Sequence, residues 1–268
     1  MAFFRGDTNM SRSAFMEAAQ AAADAAEKVI RHYYEAGVDV ETKPDDTPVT
    51  RADVESEQAI RQVIREHFPD HGFYGEETGQ SDMDSDYVWL IDPIDGTKSF
   101  VRRYPFFSTQ IALMYKGELI LGLSNGIQFG ERAWAEKGQG AFLNGNPIAV
   151  EKTVDLGRAS LSTGNLKSLA QSPEGWTALG GIMAEVNRTR GYGDFYHYHL
   201  LARGSIDLII ESDVNILDIA ALAVIVREAG GVFTNLSGGE LDLKTANVLA
   251  AATPELHRTA LNRLAWKD

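Results

Sequence analysis

The sequence predicts an α+β fold in which two β-sheets are sandwiched between pairs of helices. Three features indicate this class. The chain opens with two long helix-forming segments, continues with short apolar runs separated by hairpin-like turns, and ends in an alternation of strands and helices. Because each sheet and each helix must bury an apolar face against a neighbour, this order of elements predicts stacked layers.

The first two helices are indicated by composition and by their end signals. Ala and Glu dominate residues 13–35, and Gly37 is a good stop signal. A second helix is predicted from about Ala52 to His67, with Thr50 as its N-cap. Asp53 follows three residues after Thr50, the spacing of a capping box.

The middle of the chain has the pattern of antiparallel β-structure. Turn sequences such as Lys116-Gly117-Glu118 and Asn144-Gly145 separate short apolar runs at hairpin spacing. The sheet is therefore predicted to be largely antiparallel. Its predicted strands are Tyr87–Ile91, Thr109–Tyr115, Leu119–Ser124 and Arg132–Glu136.

The second half of the chain mixes strands and helices from about Asp155 onward. Residues 1–155 and 156–268 are expected to be the two halves of one compact unit. The predicted strands of the second half are Ala159–Thr163, Leu208–Glu211 and Val248–Ala252, and its predicted helices are Trp176–Glu185, Leu217–Ala229 and Pro254–Leu264.

Composition excludes several classes of function. With 44% hydrophobic and 24% charged residues, and no long apolar segment, the 268-residue chain is expected to be soluble, cytoplasmic and free of membrane contacts. The absence of cysteine excludes disulfides, thiolate metal sites and cysteine nucleophiles. A formal net charge of −13 disfavours nucleic acid as a partner.

One acidic run, Asp-Pro-Ile-Asp-Gly-Thr at residues 92–97, carries candidate chemistry. It follows a predicted strand, so its first carboxylate stands at a sheet edge, where loops build sites. A tight turn would bring Asp92 and Asp95 together with the Ile94 carbonyl between them. Three such oxygen atoms suit Mg²⁺.

The end of this run favours an anion. Gly96 and Thr97 stand at the predicted start of a helical turn, where backbone N–H groups favour a phosphate. Taken alone, the run is more typical of an ordinary turn than of a metal site, because Asp, Pro and Gly dominate turns. Its neighbours change that balance: Glu76 lies shortly upstream, and Asp218 stands at the start of an apolar predicted helix.

These motifs, in this order and spacing, resemble the inositol monophosphatase family. The resemblance runs from about Lys43 to Thr234 and implies a layered αβαβα sandwich of the inositol monophosphatase/fructose-1,6-bisphosphatase type. The motifs that carry it are Gly75-Glu76-Glu77, the run at 92–97, the segment Gly138 to Gly145, Asp218 before Ile219-Ala220-Ala221, and Glu228-Ala229-Gly230-Gly231.

The resemblance also implies an activity, that of a Mg²⁺-dependent phosphomonoesterase of small-molecule phosphates that is commonly a homodimer. Clustered carboxylates repel one another, which cations would relieve. Thr97 with Asp53 would orient the attacking water. Two or three Mg²⁺ ions would be held by Glu76, Asp92, the Ile94 carbonyl, Asp95 and Asp218, with Glu76 also counted among the catalytic residues.

The second half of the chain indicates the substrate. Gly193-Asp194 followed by aromatic residues resembles the histidinol-phosphate phosphatase branch, which acts in histidine biosynthesis. Asp194 and Glu211 would then pair with the cationic end of the substrate, while Gly96 and Thr97 would take the phosphate. Arg190 is a further candidate contact. The alternative for Asp194 is an N-cap of the following helix.

Two departures from the family pattern concern the substrate and leave the chemistry intact. The tryptophan usual before the late aspartate is Leu217 here, and residues 213–216 are atypical. His197 and His199 lie two apart, so on a helix they point to different faces; packing or surface roles are predicted for them in preference to a metal site.

Three rival functions follow from related branches. An inositol-1-phosphate phosphatase needs neutral or acidic hydrogen-bonding partners for a polyol, and a 3′-phosphoadenosine nucleotide phosphatase needs a stacking surface and a basic residue. The third rival is a non-catalytic, RNA-associated assembly factor. The net charge of −13 and the complete set of acids weigh against it.

Overall fold

A computed structural model describes residues 12–36, 40–42 and 48–266 of the chain. Lys43, where the family resemblance begins, lies outside the described residues. Within these ranges the helices are α1 (Ala14–Ala36), α2 (Arg51–His67), α3 (Thr97–Val101), α4 (Lys167–Gln171), α5 (Pro173–Glu185), α6 (Asp194–Ala202), α7 (Ile216–Glu228) and α8 (Pro254–Leu264).

The strands of the described residues form two large sheets and one two-stranded sheet. They are β1 (Val40–Thr42), β2 (Pro48–Thr50), β3 (Gly72–Gly75), β4 (Gly79–Ser81), β5 (Tyr87–Asp95), β6 (Ser108–Tyr115), β7 (Glu118–Gly126), β8 (Glu131–Glu136), β9 (Ala141–Leu143), β10 (Asn146–Ile148), β11 (Ser160–Thr163), β12 (Arg188–Arg190), β13 (Leu208–Ser212), β14 (Val232–Thr234) and β15 (Asn247–Ala251).

The larger sheet has the strand order β10-β9-β8-β7-β6-β5-β3-β4. Its neighbouring strands run antiparallel except for β3 and β5, which are parallel. This confirms the largely antiparallel sheet that the hairpin spacing predicts. The smaller sheet is mixed, in the order β12-β11-β13-β15-β14, with β11 parallel to both of its neighbours.

Three apolar cores hold five layers together. The first core joins α1 and α2 to one face of the larger sheet, through residues such as Ile30, Ile60 and Trp89. The second packs α6 and α7 between the two sheets. The third joins the far face of the smaller sheet to α5 and α8. The layers therefore stack as αβαβα, which confirms the predicted fold.

The predicted long elements are present with small shifts at their ends. Helix α1 begins at Ala14 and α2 at Arg51, each within one residue of the prediction. Sequence reasoning missed the short strands β3, β4, β9, β10, β12 and β14, which are three or four residues long. Such segments are too short to show a periodic pattern, and pairing with neighbours stabilises them.

Among the helices that the structure describes, none is both long enough and apolar enough to cross a membrane.

Candidate active site

Strand β5 carries the first acid of the site. Successive side chains of a strand point to opposite faces, so Leu90 and Asp92 lie on the face that packs against α7, while Trp89 and Ile91 face α1 and α2. Asp92 is buried, with 2% of its surface exposed. Its carboxylate accepts a hydrogen bond from the Ile94 backbone N–H at 3.0 Å.

An irregularity in the pairing of β5 with β6 brings the second acid to the same place. The register shifts between Asp92 and Asp95, so the chain turns within three residues. Asp95 accepts a hydrogen bond from the Ser108 hydroxyl at 3.2 Å. Gly96 then has φ of 88°, and a Cβ there would stand 2.5 Å from the Phe106 carbonyl oxygen. Glycine is therefore required at this turn.

Asp218 reaches the site from the start of α7. Asn215 caps this helix, and the Asp218 carboxylate accepts from the Asn215 backbone N–H at 2.8 Å, which completes a capping box. The segment 213–216, which departs from the family pattern, thus supplies the cap that orients Asp218. Capping the helix does not exclude a role in the site, since one carboxylate can do both.

Asp92, Asp95 and Asp218 form one cluster. Each offers a carboxylate oxygen, and these three atoms lie within 4.8 Å of one another. Burial, followed by the charges of Glu76 and the neighbouring aspartates, raises the pKa of Asp92 well above its usual value. Burial also raises the pKa of Asp95, and it raises that of Asp218 to about 7. Like charges held this close favour protonation or a bound cation.

Glu76 belongs to the same electrostatic neighbourhood. Its charge raises the pKa values of Asp92, Asp218 and Asp53. Its backbone N–H donates to the Ile91 carbonyl at 3.1 Å, which fixes the start of its loop beside β5.

A residue that sequence reasoning missed, Glu57, holds the rest of that loop. Its carboxylate is fully buried and accepts from the backbone N–H groups of Glu77 at 2.7 Å and Thr78 at 3.2 Å. It also accepts from the Thr78 hydroxyl. A Cβ at Gly75 would overlap the Glu57 carboxylate, so glycine lets the loop approach α2. The available signal was its position one turn after Asp53 on α2.

Asp53 and Thr97 are in contact. One carboxylate oxygen of Asp53 accepts from the Thr50 backbone N–H and hydroxyl, both at 2.7 Å. The other lies 3.2 Å from the Thr97 hydroxyl, which also lies 3.1 Å from the Ile94 carbonyl oxygen. The predicted capping box is present, and Asp53 still faces the site. Burial raises the pKa of Asp53.

The oxygen atoms at this end of β5 fit a hard divalent cation. They come from the buried carboxylates of Asp92 and Asp95 and the half-buried carboxylate of Asp218, and the Ile94 carbonyl lies between the two motif aspartates in the chain. Carboxylate and carbonyl oxygens are the ligands that Mg²⁺ takes in proteins. Among the described residues, the cluster that meets the geometry of a metal site contains no histidine.

Asp194 is close enough to this cluster for its charge to raise the pKa of Asp95. It is the first residue of α6, and it has φ of 46°. The N-cap is Gly193, so the alternative that Asp194 caps the helix is wrong. Burial and the Glu211 charge raise the pKa of Asp194 to about 6, against an opposing effect of His197.

Glu211 lies on β13 with its carboxylate enclosed by donors. One oxygen accepts from the Asn165 backbone N–H at 3.0 Å. The other lies 2.8 Å from the Tyr198 hydroxyl and 3.1 Å from His197 Nε2. Only 2% of Glu211 is exposed. Its orientation is therefore fixed before any ligand arrives.

The two histidines of α6 have the packing roles that the sequence predicts. His197 faces Glu211, and His199 faces Ser124 and Glu131 on the other side of the helix. Both are fully buried. Arg190 is exposed on the edge strand β12 and donates to the Thr189 carbonyl at 2.7 Å, so its role in substrate binding stays a prediction.

Comparison with known proteins assigns the family. The family model of the inositol monophosphatase family matches residues 11–267. The chain belongs to the inositol monophosphatase family. It is thus a phosphoric monoester hydrolase by family, which confirms the class that the acidic motifs predict.

Individual relatives agree with this assignment. The chain is 37% identical over 271 residues to the bifunctional phosphatase IMPL2, chloroplastic, of Arabidopsis thaliana, covering 97% of this chain and 77% of that protein. It is 38% identical over 232 residues to the histidinol-phosphatase of Mycobacterium tuberculosis, covering 82% and 86%. These matches confirm the resemblance to the histidinol-phosphate phosphatase branch.

A solved structure confirms the fold. The extragenic suppressor protein suhB from Bartonella henselae superposes with a TM-score of 0.85 at 30% identity, covering 94% of this chain and 98% of that one.

Proposed function

We propose that this phosphatase hydrolyses histidinol phosphate to histidinol and inorganic phosphate with Mg²⁺ as cofactor. The observation that carries the proposal is the pair of acids formed by the half-buried Asp194 and the buried Glu211, whose charges reach Asp95 of the Asp92/Asp95/Asp218 cluster. One group of acids suits a metal that binds phosphate, and the other suits a cation. Histidinol phosphate carries a phosphate at one end and an ammonium with an imidazole at the other.

Electrostatics supports Asp194 and Glu211 as the residues that bind the cationic end of the substrate. Asp194 is close enough to Glu211 for their charges to repel, which contributes to its raised pKa of about 6. A substrate ammonium placed between such carboxylates would relieve the repulsion and form charge-assisted hydrogen bonds. A neutral substrate offers no such compensation, so this arrangement favours cationic esters.

The proposed metal ligands are Glu76, Asp92, the Ile94 carbonyl, Asp95 and Asp218. When bound, Mg²⁺ would neutralise these acids, lower the pKa of a nearby water and stabilise charge on the phosphoryl group and the leaving oxygen. The backbone of Gly96 and Thr97, at the start of α3, would contribute N–H groups to the phosphate.

The chain's own groups would orient the attack. The Thr97 hydroxyl can donate to Asp53 at 3.2 Å, which leaves its lone pairs to accept a hydrogen bond from water. A proton lost by that water as its oxygen attacks phosphorus can pass along this pair to Asp53. Burial raises the pKa of Asp53, which favours its acting as the acceptor. The ester P–O bond breaks, the leaving alkoxide takes up a proton from solvent water, and Asp53 returns its proton to solvent.

The test is a comparison of three substrates at saturating Mg²⁺: histidinol phosphate, inositol-1-phosphate and 3′-phosphoadenosine 5′-phosphate. We expect kcat/KM for histidinol phosphate to exceed the other two by about tenfold or more. Preference for inositol-1-phosphate would transfer the proposal to that substrate. No phosphate release from any of the three would contradict it.

The homodimer, the lack of nucleic-acid binding and the cytoplasmic location stay predictions. Sedimentation equilibrium tests the first, with twice the chain mass as the expected result.

A further inference from the structure

A chain of buried polar side chains leaves the acidic cluster and crosses the larger sheet. It starts at Asp95, which accepts from the Ser108 hydroxyl at 3.2 Å. Gln110 Nε2 donates to the Ser108 hydroxyl oxygen at 2.7 Å and to that of Ser124 at 3.1 Å. Ser124 lies 2.9 Å from His199 Nε2. These residues occupy β5, β6, β7 and α6, so this series of hydrogen bonds joins three strands to α6.

The direction of each hydrogen bond is determined by its neighbours. Glu131 accepts from Arg203 Nη1 at 2.6 Å, and it lies 3.3 Å from His199 Nδ1. A carboxylate accepts only, so Nδ1 of His199 carries the proton. Burial lowers the pKa of His199, which keeps the ring neutral and makes Nε2 an acceptor for the Ser124 hydroxyl.

Gln110 stands at the centre of this chain at a cost to the fold. It is fully buried and lies opposite Asp92 on one side and Ser124 on the other in the strand registers. Among the described residues, its Oε1 is the buried side-chain polar atom with no hydrogen-bond partner. An orphaned buried acceptor is destabilising, and such groups are retained mainly where they serve a site.

The opposite orientation of the Gln110 amide would interrupt this series of hydrogen bonds. It would place an acceptor between the two serines and draw their protons away from Asp95 and His199. The observed orientation leaves Ser108 free to donate to Asp95 and Ser124 free to donate to His199. The unpaired Oε1 is therefore the consequence of connecting the two ends.

We propose that Gln110, Ser124 and His199 are positioning residues that hold Asp95 in place for its cation and tie it to α6, the helix that begins with Asp194. The inference rests on the proposed metal site. One hydrogen-bonded frame then sets both the position of Asp95 for metal binding and the position of Asp194 at the start of α6. Loosening this frame at Ser124, on β7, then weakens cation binding at Asp95, on β5.

Calorimetric titration of the metal-free protein with Mg²⁺ tests this without reference to turnover. We expect Gln110→Met and Ser124→Ala each to raise the dissociation constant about threefold to tenfold. Gln110→Met also removes the orphaned acceptor, so its thermal midpoint should not fall. Weaker Mg²⁺ binding without lower stability is a result that a purely structural role would not give.

A matched control is present in the smaller sheet. Thr234 and His257 form another buried hydroxyl–histidine pair at 2.8 Å, and the hydrogen bonds of that pair do not lead to the acidic cluster. Thr234→Val should leave Mg²⁺ binding unchanged. Asp95→Asn provides the reference for loss of the ligand itself.

A double variant tests whether the residues act as one chain. If they do, Ser108→Ala with Ser124→Ala binds Mg²⁺ no more weakly than Ser108→Ala alone. Hydrogen exchange gives a second readout: Mg²⁺ should slow exchange of the α6 amides in the wild type and have less effect in Ser124→Ala.

Three results would overturn the proposal in distinguishable ways. Unchanged Mg²⁺ binding in both single variants, or additive effects in the double variant, rejects the shared frame while the metal site stands. A wild-type chain that takes up no Mg²⁺ rejects both the metal site and the frame.

Discussion

The acidic cluster and Glu211 contain the same chemical group in two different settings. In the cluster, the carboxylates of Asp92, Asp95 and Asp218 have one another as close neighbours, and burial raises their pKa values. Glu211 is equally buried, but its oxygens face the Asn165 N–H, Tyr198 and His197. The carboxylates of the cluster need a cation from outside the protein to balance their charges. The Glu211 carboxylate is already held in one orientation by donors of the protein itself.

The largest effect is expected at the cluster. Asp92→Asn keeps the size of the side chain but replaces one ligand oxygen by an amide nitrogen that cannot bind a cation. We expect kcat/KM to fall by at least about a hundredfold at saturating Mg²⁺. Steady-state assays measure this, and a circular dichroism spectrum equal to that of the wild type shows that the fold is intact. Full activity in this variant would mean that the metal site is misassigned.

The recognition side predicts a smaller and more selective effect. Asp194→Asn keeps a residue type that tolerates positive φ, but it removes the charge proposed to pair with the substrate ammonium. KM for histidinol phosphate should rise about tenfold or more, with little change for an aryl phosphate that carries no cation.

Asp213 is the matched control for Asp194. It also has positive φ, at 57°, and its carboxylate accepts a hydrogen bond from the Ser168 backbone N–H, outside the site. Asp213→Asn should leave both KM values near those of the wild type. Equal increases for both esters in Asp194→Asn would sink the recognition role.

The two regions also differ in how far the sequence could predict them. The fold layers and long elements follow from helix signals and strand runs, and β5 delivers its acids because Asp92 continues the alternation of Leu90. Those features are local. The donors around Glu211 come from α6, β13 and the segment after β11, so no spacing in the sequence reveals them.

Glu57 and Gln110 show the same limit within the active-site half. In the sequence, Glu57 looks like an ordinary polar residue of a helix, because its partners Glu77 and Thr78 lie 20 and 21 residues further along the chain. Gln110 reads as a polar residue in an apolar strand. Only the register of β6 with β5 and β7 shows that it lies between Asp92 and Ser124.

The pH dependence of stability isolates the unbalanced charge of the cluster. Burial raises the pKa of Asp218 from 3.8 to about 7, so between these values the folded chain holds a proton that the unfolded chain has released. This contribution to stability is fully present below pH 3.8 and is lost as pH rises through about 7. Metal-free wild type should therefore be less stable at pH 8 than Asp218→Asn by about 2–4 °C or more in Tm.

Calorimetry or thermal fluorescence checks this by following the difference between the two proteins. The difference should shrink toward pH 5, because folded wild type then holds the proton on Asp218. Buried His199 and His257, whose pKa values burial lowers, give an opposite trend, but it cancels because both proteins contain them. Mg²⁺ at pH 8 should raise Tm of the wild type more than that of the variant. A difference independent of pH would contradict the proposed origin in charge.

The smallest effect is expected at Glu57, which acts on the cluster only through the loop of Glu76. Glu57→Gln leaves one acceptor oxygen for the N–H groups of Glu77 and Thr78, which together now use two. The loop should loosen, and Mg²⁺ affinity should fall about threefold to tenfold, with faster amide exchange at residues 76–78. Glu55→Gln is the control, because Glu55 lies on the same helix in an exposed pair with Arg51 at 2.8 Å. If the two variants bind Mg²⁺ equally well, then Glu57 stabilises the helix packing alone and the loop that carries Glu76 is set by its own contacts with β5.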